Sequence, residues 1–273
     1  MSSISVRAAH ALAAAYRRTR PDRPLDGKGY GETAEANLLE GVRLDDFRQD
    51  FEQGDGNELE GKFLAAHSSS ALAANCFGPF KTRPEELALA GVSEITRLGF
   101  EHKCPTGLRG NSPNLDLVAE AGGQVLAVEA KCTEYLASHE ARFADAYSDK
   151  IRDERRDSPW FAEMERLKRD PRGYVHLDAA QLIKHAFGLA YTFPGQEVML
   201  LYLYWEPANP EADPVFAWHQ AEIEALAGRT GGGFPRFASL SYPALWESWQ
   251  NREGPDWLRA HVANLQARYL VEI

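Results

Sequence analysis

The chain has 273 residues and a formal net charge of −10, with 44% hydrophobic residues, 13 Phe, 10 Tyr and 6 Trp. That length and aromatic content support a globular core and exclude disorder as the ground state. The acidic balance excludes a protein that coats nucleic acid through a broad basic face, though not an enzyme with a local basic cleft. The longest uninterrupted apolar run, VMLLYLYW at residues 198–205, is far shorter than the roughly 20 residues of a membrane helix, so no membrane partner is expected.

Residues 1–57 are expected to form an N-terminal helical arm. An Ala-rich stretch predicts a helix over residues 6–18, and Arg7, Arg17, Arg18 and Arg20 all precede the first acid, Asp22. This reads as an amphipathic helix rather than a secretory signal or transit peptide. The turn-forming stretch RPDRPLDGKGYGET follows; its Gly27-Lys28-Gly29 cluster lacks the spacing of a phosphate-binding loop. Cys76, Cys104 and Cys132 show no CxxC or Cys/His clustering, which fits a reducing cytoplasm and indicates neither a disulfide framework nor a zinc site.

Residues 58–207 are expected to hold the core. In ELEGKFLAAHSSSALAANCF, residues 58–77, the spacing of Leu59, Phe63, Leu64, Leu72 and Cys76 predicts two helical pieces broken near His67, the serine run capping the second. A short helix follows Pro79 and Pro84, and then a strand in EITRLGFEHK. A loop with Pro105, Gly107, Gly110 and Pro113 leads to the apolar runs LDLVAE and VLAVEAKC, and the Gly122-Gly123 pair between them predicts a hairpin. Residues 150–172 hold eight Lys or Arg against six Asp or Glu, so a solvated helical insertion is expected over about residues 140–173. LDAAQLIKHAFGLAYTF reads as a helix with Leu182, Ala186, Leu189 and Phe193 on one face, feeding the strand EVMLLYLYW. Residues 208–273 are expected to add a C-terminal helical extension packed on the core: a helix near residues 221–226, a glycine loop at 231–233, a Trp-containing helix near 242–249 and a last helix from Asp256. This order predicts an α/β fold, a mixed sheet flanked by helices.

Within the hairpin, Asp116, Glu129 and Lys131 interrupt runs that otherwise read as buried strand. Burying such groups costs several kcal/mol unless they are paired or bind a metal. Strand alternation sets Glu129 and Lys131 on one face and Val128, Ala130 and Cys132 on the other. Counting outward from the glycine turn places Asp116 opposite Glu129, so two carboxylates converge at the strand end with an ammonium one step away. That is a ligand set for a hard divalent cation such as Mg²⁺, the lysine offsetting the remaining charge. A buried structural salt-bridge cluster is the other reading of the same three residues.

Asp116, twelve intervening residues and then Glu129-Ala130-Lys131 resemble the PD-(D/E)XK nuclease superfamily, the restriction-endonuclease-like fold, over about residues 58–205. The sequence departs from the name-giving pattern where Asn114 and Leu115 separate Pro113 from the acid. The resemblance implies a restriction-endonuclease-like core and metal-dependent hydrolysis of phosphodiester bonds in nucleic acid, with DNA the expected substrate. Asp116, Glu129 and the Ala130 backbone carbonyl would hold Mg²⁺, with Mn²⁺ as substitute, and Lys131 would orient the attacking water. It also implies an acidic residue on the helix before the sheet, a place Glu60 or Glu58 occupies, with Glu60 a further candidate ligand. A polar residue on the helix after the Glu-x-Lys strand is matched by Gln181. Lys184 and His185 share the face of Gln181 at i+3 and i+4. Gln181 also completes a capping box with Asp178, and His185 reads as an ordinary helix histidine. The alternative is a catalytically lapsed fold that binds nucleic acid or protein; a homodimer is left open. A chain at −10 must concentrate positive charge locally to hold phosphates; the basic insertion around Lys150, Arg152, Arg155, Arg156, Arg166, Lys168 and Arg169 is the candidate, and part of it is expected to rim the cleft.

Overall fold

The structure is a computed structural model that describes residues 3–54, 57–110, 112–148 and 157–273. The Ala-rich stretch forms helix α1 (Ile4–Thr19), whose first turn is capped by the Ser3 side chain accepting from the Val6 N–H. A short helix α2 (Arg48–Glu52) follows. The first of the two helical pieces expected at residues 58–77 is instead a pair of single 3₁₀ turns, because Gly61 between them takes φ −122° and ψ −109°, far from helical values. The second is helix α3 (Ser69–Phe77), capped by the Ser68 hydroxyl, which accepts from the Ala71 N–H at 3.2 Å.

Strands β1 (Arg97–Lys103), β2 (Asn114–Ala121), β3 (Gln124–Lys131), β4 (Glu197–Tyr204) and β5 (Arg236–Ser241) form one sheet in that order. Pairing is antiparallel from β1 to β3 and parallel from β3 to β5. Gly122 and Gly123 both take positive φ, 53° and 93°, which a two-residue hairpin turn demands, and they set the register Leu117↔Val128 that the sequence predicts. Strand β5 was not foreseen. It is an edge strand whose side chains are mostly half-exposed, so it carries no apolar run.

Helices α4 (Pro159–Arg169) and α5 (Ala179–Thr192) lie between β3 and β4, and α6 (Pro214–Arg229), α7 (Tyr242–Asn251) and α8 (Asp256–Tyr269) complete the chain. The expected solvated insertion is corrected in part. Trp160, Phe161, Met164 and Leu167 on α4 are buried, and α4 packs on α5 and α6. Lys168 and Arg169 are exposed at its end. Glu163 is the exception among its charged residues: it is buried with the apolar ones and held by Arg166 at 2.8 Å and the Tyr174 hydroxyl at 2.6 Å. Lys150, Arg152, Arg155 and Arg156 lie outside the described residues.

Most of the buried apolar residues form one core running from Ala8 to Val271, beside a small cluster of Ala13, Tyr16 and Ala66, with α1 packed on α8. At that junction Arg268 is buried to 1% exposure, and among the described residues it makes no ion pair with a carboxylate. Its guanidinium donates to the Leu12 and Ala66 carbonyls at 3.1 and 2.9 Å and to Asn37 Oδ1 at 3.3 Å, and lies over the Tyr16 and Tyr269 rings. Among the described residues no helix is long and apolar enough to cross a membrane.

Candidate active site

Beyond the Leu117↔Val128 pair the β2–β3 ladder is continued by a side chain: Asp116 Oδ2 accepts from the Ala130 N–H at 2.7 Å. The N–H and C=O of one strand residue leave the same edge, and the neighbouring Lys131 carbonyl accepts from the Trp205 N–H at 2.8 Å on the β4 side. The Ala130 carbonyl therefore faces the Asp116 edge.

Glu129 is buried, its side chain 3% exposed, and its carboxylate is held from two directions. The Lys131 ammonium pairs with Oε1. His185 on α5 brings Nε2 to 2.8 Å from Oε2, close enough for an ion pair but outside hydrogen-bond alignment. Burial alone would raise the Glu129 carboxyl, but Lys131 and then His185 outweigh it and hold it at about 2. Burial likewise opposes the Lys131 charge, and Glu129 and Asp116 override it and raise the ammonium. Asp116 goes the other way: burial and the Glu129 charge push its carboxyl well up, with Lys131 only partly compensating. Two carboxylates thus share one lysine, and the outer one lacks a sufficient counter-charge.

Asp116 and Lys131 open into a cleft of about 600 Å³ whose walls include Glu58, Glu101, Glu134, Asp178, Gln181 and Lys62. A larger hollow, about 740 Å³ between the end of α1, residues 38–45 and α8, contains none of these residues. Of the positions expected from the sequence, Asp116, Glu129, Lys131 and Gln181 come together. Of the two acids before the sheet it is Glu58 that reaches the cleft, accepting from the Ser70 hydroxyl at 2.7 Å. Glu60 is corrected: it lines a separate hollow with Arg48 and Glu52, because the turn at Gly61 aims it away. The Gln181 N–H donates to Asp178 Oδ1 at 2.9 Å, so Asp178 caps α5 as expected while Gln181 also lines the cleft. Arg166, Lys168 and Arg169 are not among the cleft walls.

Sequence reasoning passed over His185 as an ordinary helix histidine, although its position four residues after Gln181 places it on the same face. It also passed over Glu134, which sits just beyond β3 and accepts from the Cys132 N–H at 2.7 Å, and Glu101. The β1–β2 register steps from Phe100↔Leu117 to His102↔Leu115, and between them Glu101 takes φ 49°, a left-handed conformation costly for a residue other than glycine. Nothing in a run of strand-forming residues announces such a kink.

Among the described residues no group of three or more His, Cys, Asp or Glu side chains is arranged to hold a metal ion. The donor set is leaner, two carboxylates and a backbone carbonyl, which matches Mg²⁺, a cation that keeps several waters and takes one or two carboxylates. The cleft carries the charge for it, with Glu58, Glu101, Asp116, Glu134 and Asp178 facing Lys62 and Lys131. A cation shared by Asp116 and Glu129 requires Glu129 to loosen its hold on Lys131 or His185.

A family model described as REase-ARP, Restriction Endonuclease associating with ARP, matches residues 9–270. No curated protein and no solved structure matches the chain.

Proposed function

The chain belongs to this restriction-endonuclease family, and from that premise we propose that it is a metal-dependent nuclease that hydrolyses phosphodiester bonds of DNA by a PD-(D/E)XK-type mechanism. The observation that carries the reading is the convergence of Asp116, Glu129 and Lys131 at one end of the β2–β3 hairpin, with Asp116 tied to the Ala130 amide and facing an acidic cleft.

Asp116, Glu129 and the Ala130 carbonyl would hold the cation. When bound, Mg²⁺, or Mn²⁺ in its place, would supply polarisation of a scissile phosphate and a lowered pKa for an attacking water. The Ala130 N–H fixes Asp116 Oδ2, so its other oxygen is the one left for the metal. Lys131, raised above the ordinary lysine range, remains charged throughout the neutral region, and its side chain keeps 15% exposure toward the cleft. There it orients the water and neutralises charge developing on the phosphate. Gln181 and Glu58 line the same walls and position water or substrate.

The test is cleavage of supercoiled, linear and single-stranded DNA by the purified protein with Mg²⁺, with Mn²⁺ and with EDTA. Metal-dependent cleavage is expected; tight DNA binding with no cleavage under any of these conditions would instead indicate a lapsed site kept for binding.

A further inference from the structure

Resting on the nuclease reading, the inference concerns the form of nucleic acid that the cleft accepts. Trp218 on α6 is 57% exposed, unusual for the largest apolar side chain. It is backed by the His176 ring, 6.1 Å away and inclined by only 19°. The segment that carries His176 is fixed to α6. Glu222, one turn after Trp218, accepts from the N–H groups of Val175, His176 and Leu177 at 2.7 to 2.8 Å. His176 Nδ1 also lies 3.0 Å from the Tyr135 carbonyl.

The segment that carries His176 runs into the cleft wall. Asp178, two residues beyond His176, is a cleft wall, and so is His139, whose N–H donates to the Val175 carbonyl at 2.7 Å. The same two segments are joined again where the Ala141 N–H donates to the Pro171 carbonyl at 2.8 Å. Exposed arginines follow on each, Arg142, whose side chain is 86% exposed and lies 3.7 Å from the Glu140 carboxylate, and Arg172. A flat, solvent-facing aromatic, with exposed arginines further along the adjoining segments, suits an unpaired base and its phosphates, because stacking accepts any base and arginines follow the backbone.

We propose that Trp218, backed by His176, stacks an unpaired base of the strand that leaves the cleft past Asp178, so that the preferred substrate carries a single-stranded segment on that side. In a fully paired duplex the bases are already stacked on one another and offer Trp218 no free face.

The experiment uses the full chain with Ca²⁺ replacing Mg²⁺ to suppress cleavage, and a DNA duplex with a single-stranded overhang carrying 2-aminopurine beside its blunt counterpart. Wild type is expected to bind the overhang duplex more tightly and to quench the 2-aminopurine. Trp218→Ala should lose about 5- to 150-fold of the overhang affinity with little change for the blunt duplex, and Trp218→Phe should restore most of the loss. Equal affinity of Trp218→Ala and wild type for the overhang, an equal loss on both duplexes, or absence of quenching would overturn the platform. If wild type cuts DNA with Mg²⁺ yet Trp218→Ala is indistinguishable from it, the platform alone fails, and Trp218 is left to a protein partner. Wild type that neither binds nor cuts DNA would remove the nuclease reading and the platform together.

Discussion

Replacing Lys131 by Ala removes the cation paired with a carboxylate that is 3% exposed. Glu129 is held at about 2 instead of 4.5, a depression that corresponds to about 3 kcal/mol of folding stability. Because the folded-state value lies below the ordinary one, that stability is present at neutral pH, begins to fall as pH drops through the ordinary carboxylate range, and is lost near pH 2. Without Lys131 only His185 is left to oppose the effect of burial on Glu129. The variant should therefore lose up to about 3 kcal/mol at pH 7, at the lower end of what breaking a buried ion pair costs since His185 stays in place. For a domain of this size that lowers Tm by roughly 6–12 °C. Melting curves of both proteins at neutral pH and near pH 2.5 check this: the gap should be wide at neutral pH and narrow in acid. A gap below about 1 °C at neutral pH, or one of equal width at both, would refute the assigned pairing. Cleavage measured below the variant's Tm should fall by orders of magnitude, and unimpaired cleavage would contradict the role given to Lys131.

Arg268→Ala leaves the Leu12 and Ala66 carbonyls and Asn37 Oδ1 without their buried donor, which should cost about 3–5 kcal/mol by thermal or urea melting, while any folded fraction keeps its specific activity because the residue does not line the cleft. Gly188→Ala on α5 would set a Cβ 2.3 Å from the Cys104 carbonyl oxygen, a backbone atom that cannot swing aside. It should destabilise by about 1–3 kcal/mol despite the better helix propensity of alanine, visible as a lower urea midpoint.

The hairpin was legible because its turn is chemically specific. Two adjacent glycines admit the positive φ values that a two-residue turn needs, and once the turn is centred every pairing along β2 and β3 follows. The carboxylate pair followed from that register. What lay hidden depends on long-range contact. Strand β5 has no periodic apolar signal, and pairing with β4 alone makes it a strand. Net charge disguised α4, although Trp160, Phe161, Met164 and Leu167 recur at helical spacing within it. Glu58 and Glu60 were inseparable until Gly61 fixed the backbone between them and the rest of the core. His185 became part of the site only when α5 packed on the sheet at β4 and brought its ring to Glu129.

The claim on which the account rests is that Asp116 holds a catalytic cation rather than a structural bond. Asn at position 116 keeps an oxygen able to accept from the Ala130 N–H but removes the charge that burial and Glu129 already disfavour, so Asp116→Asn should fold at least as stably as wild type at neutral pH. Plasmid cleavage by this variant and by wild type across a Mg²⁺ titration is the most direct measurement. The account predicts cleavage that rises with Mg²⁺ in wild type and falls by orders of magnitude in the folded variant, only partly recovered at high Mg²⁺. Equal cleavage by the two proteins at limiting Mg²⁺ would contradict it.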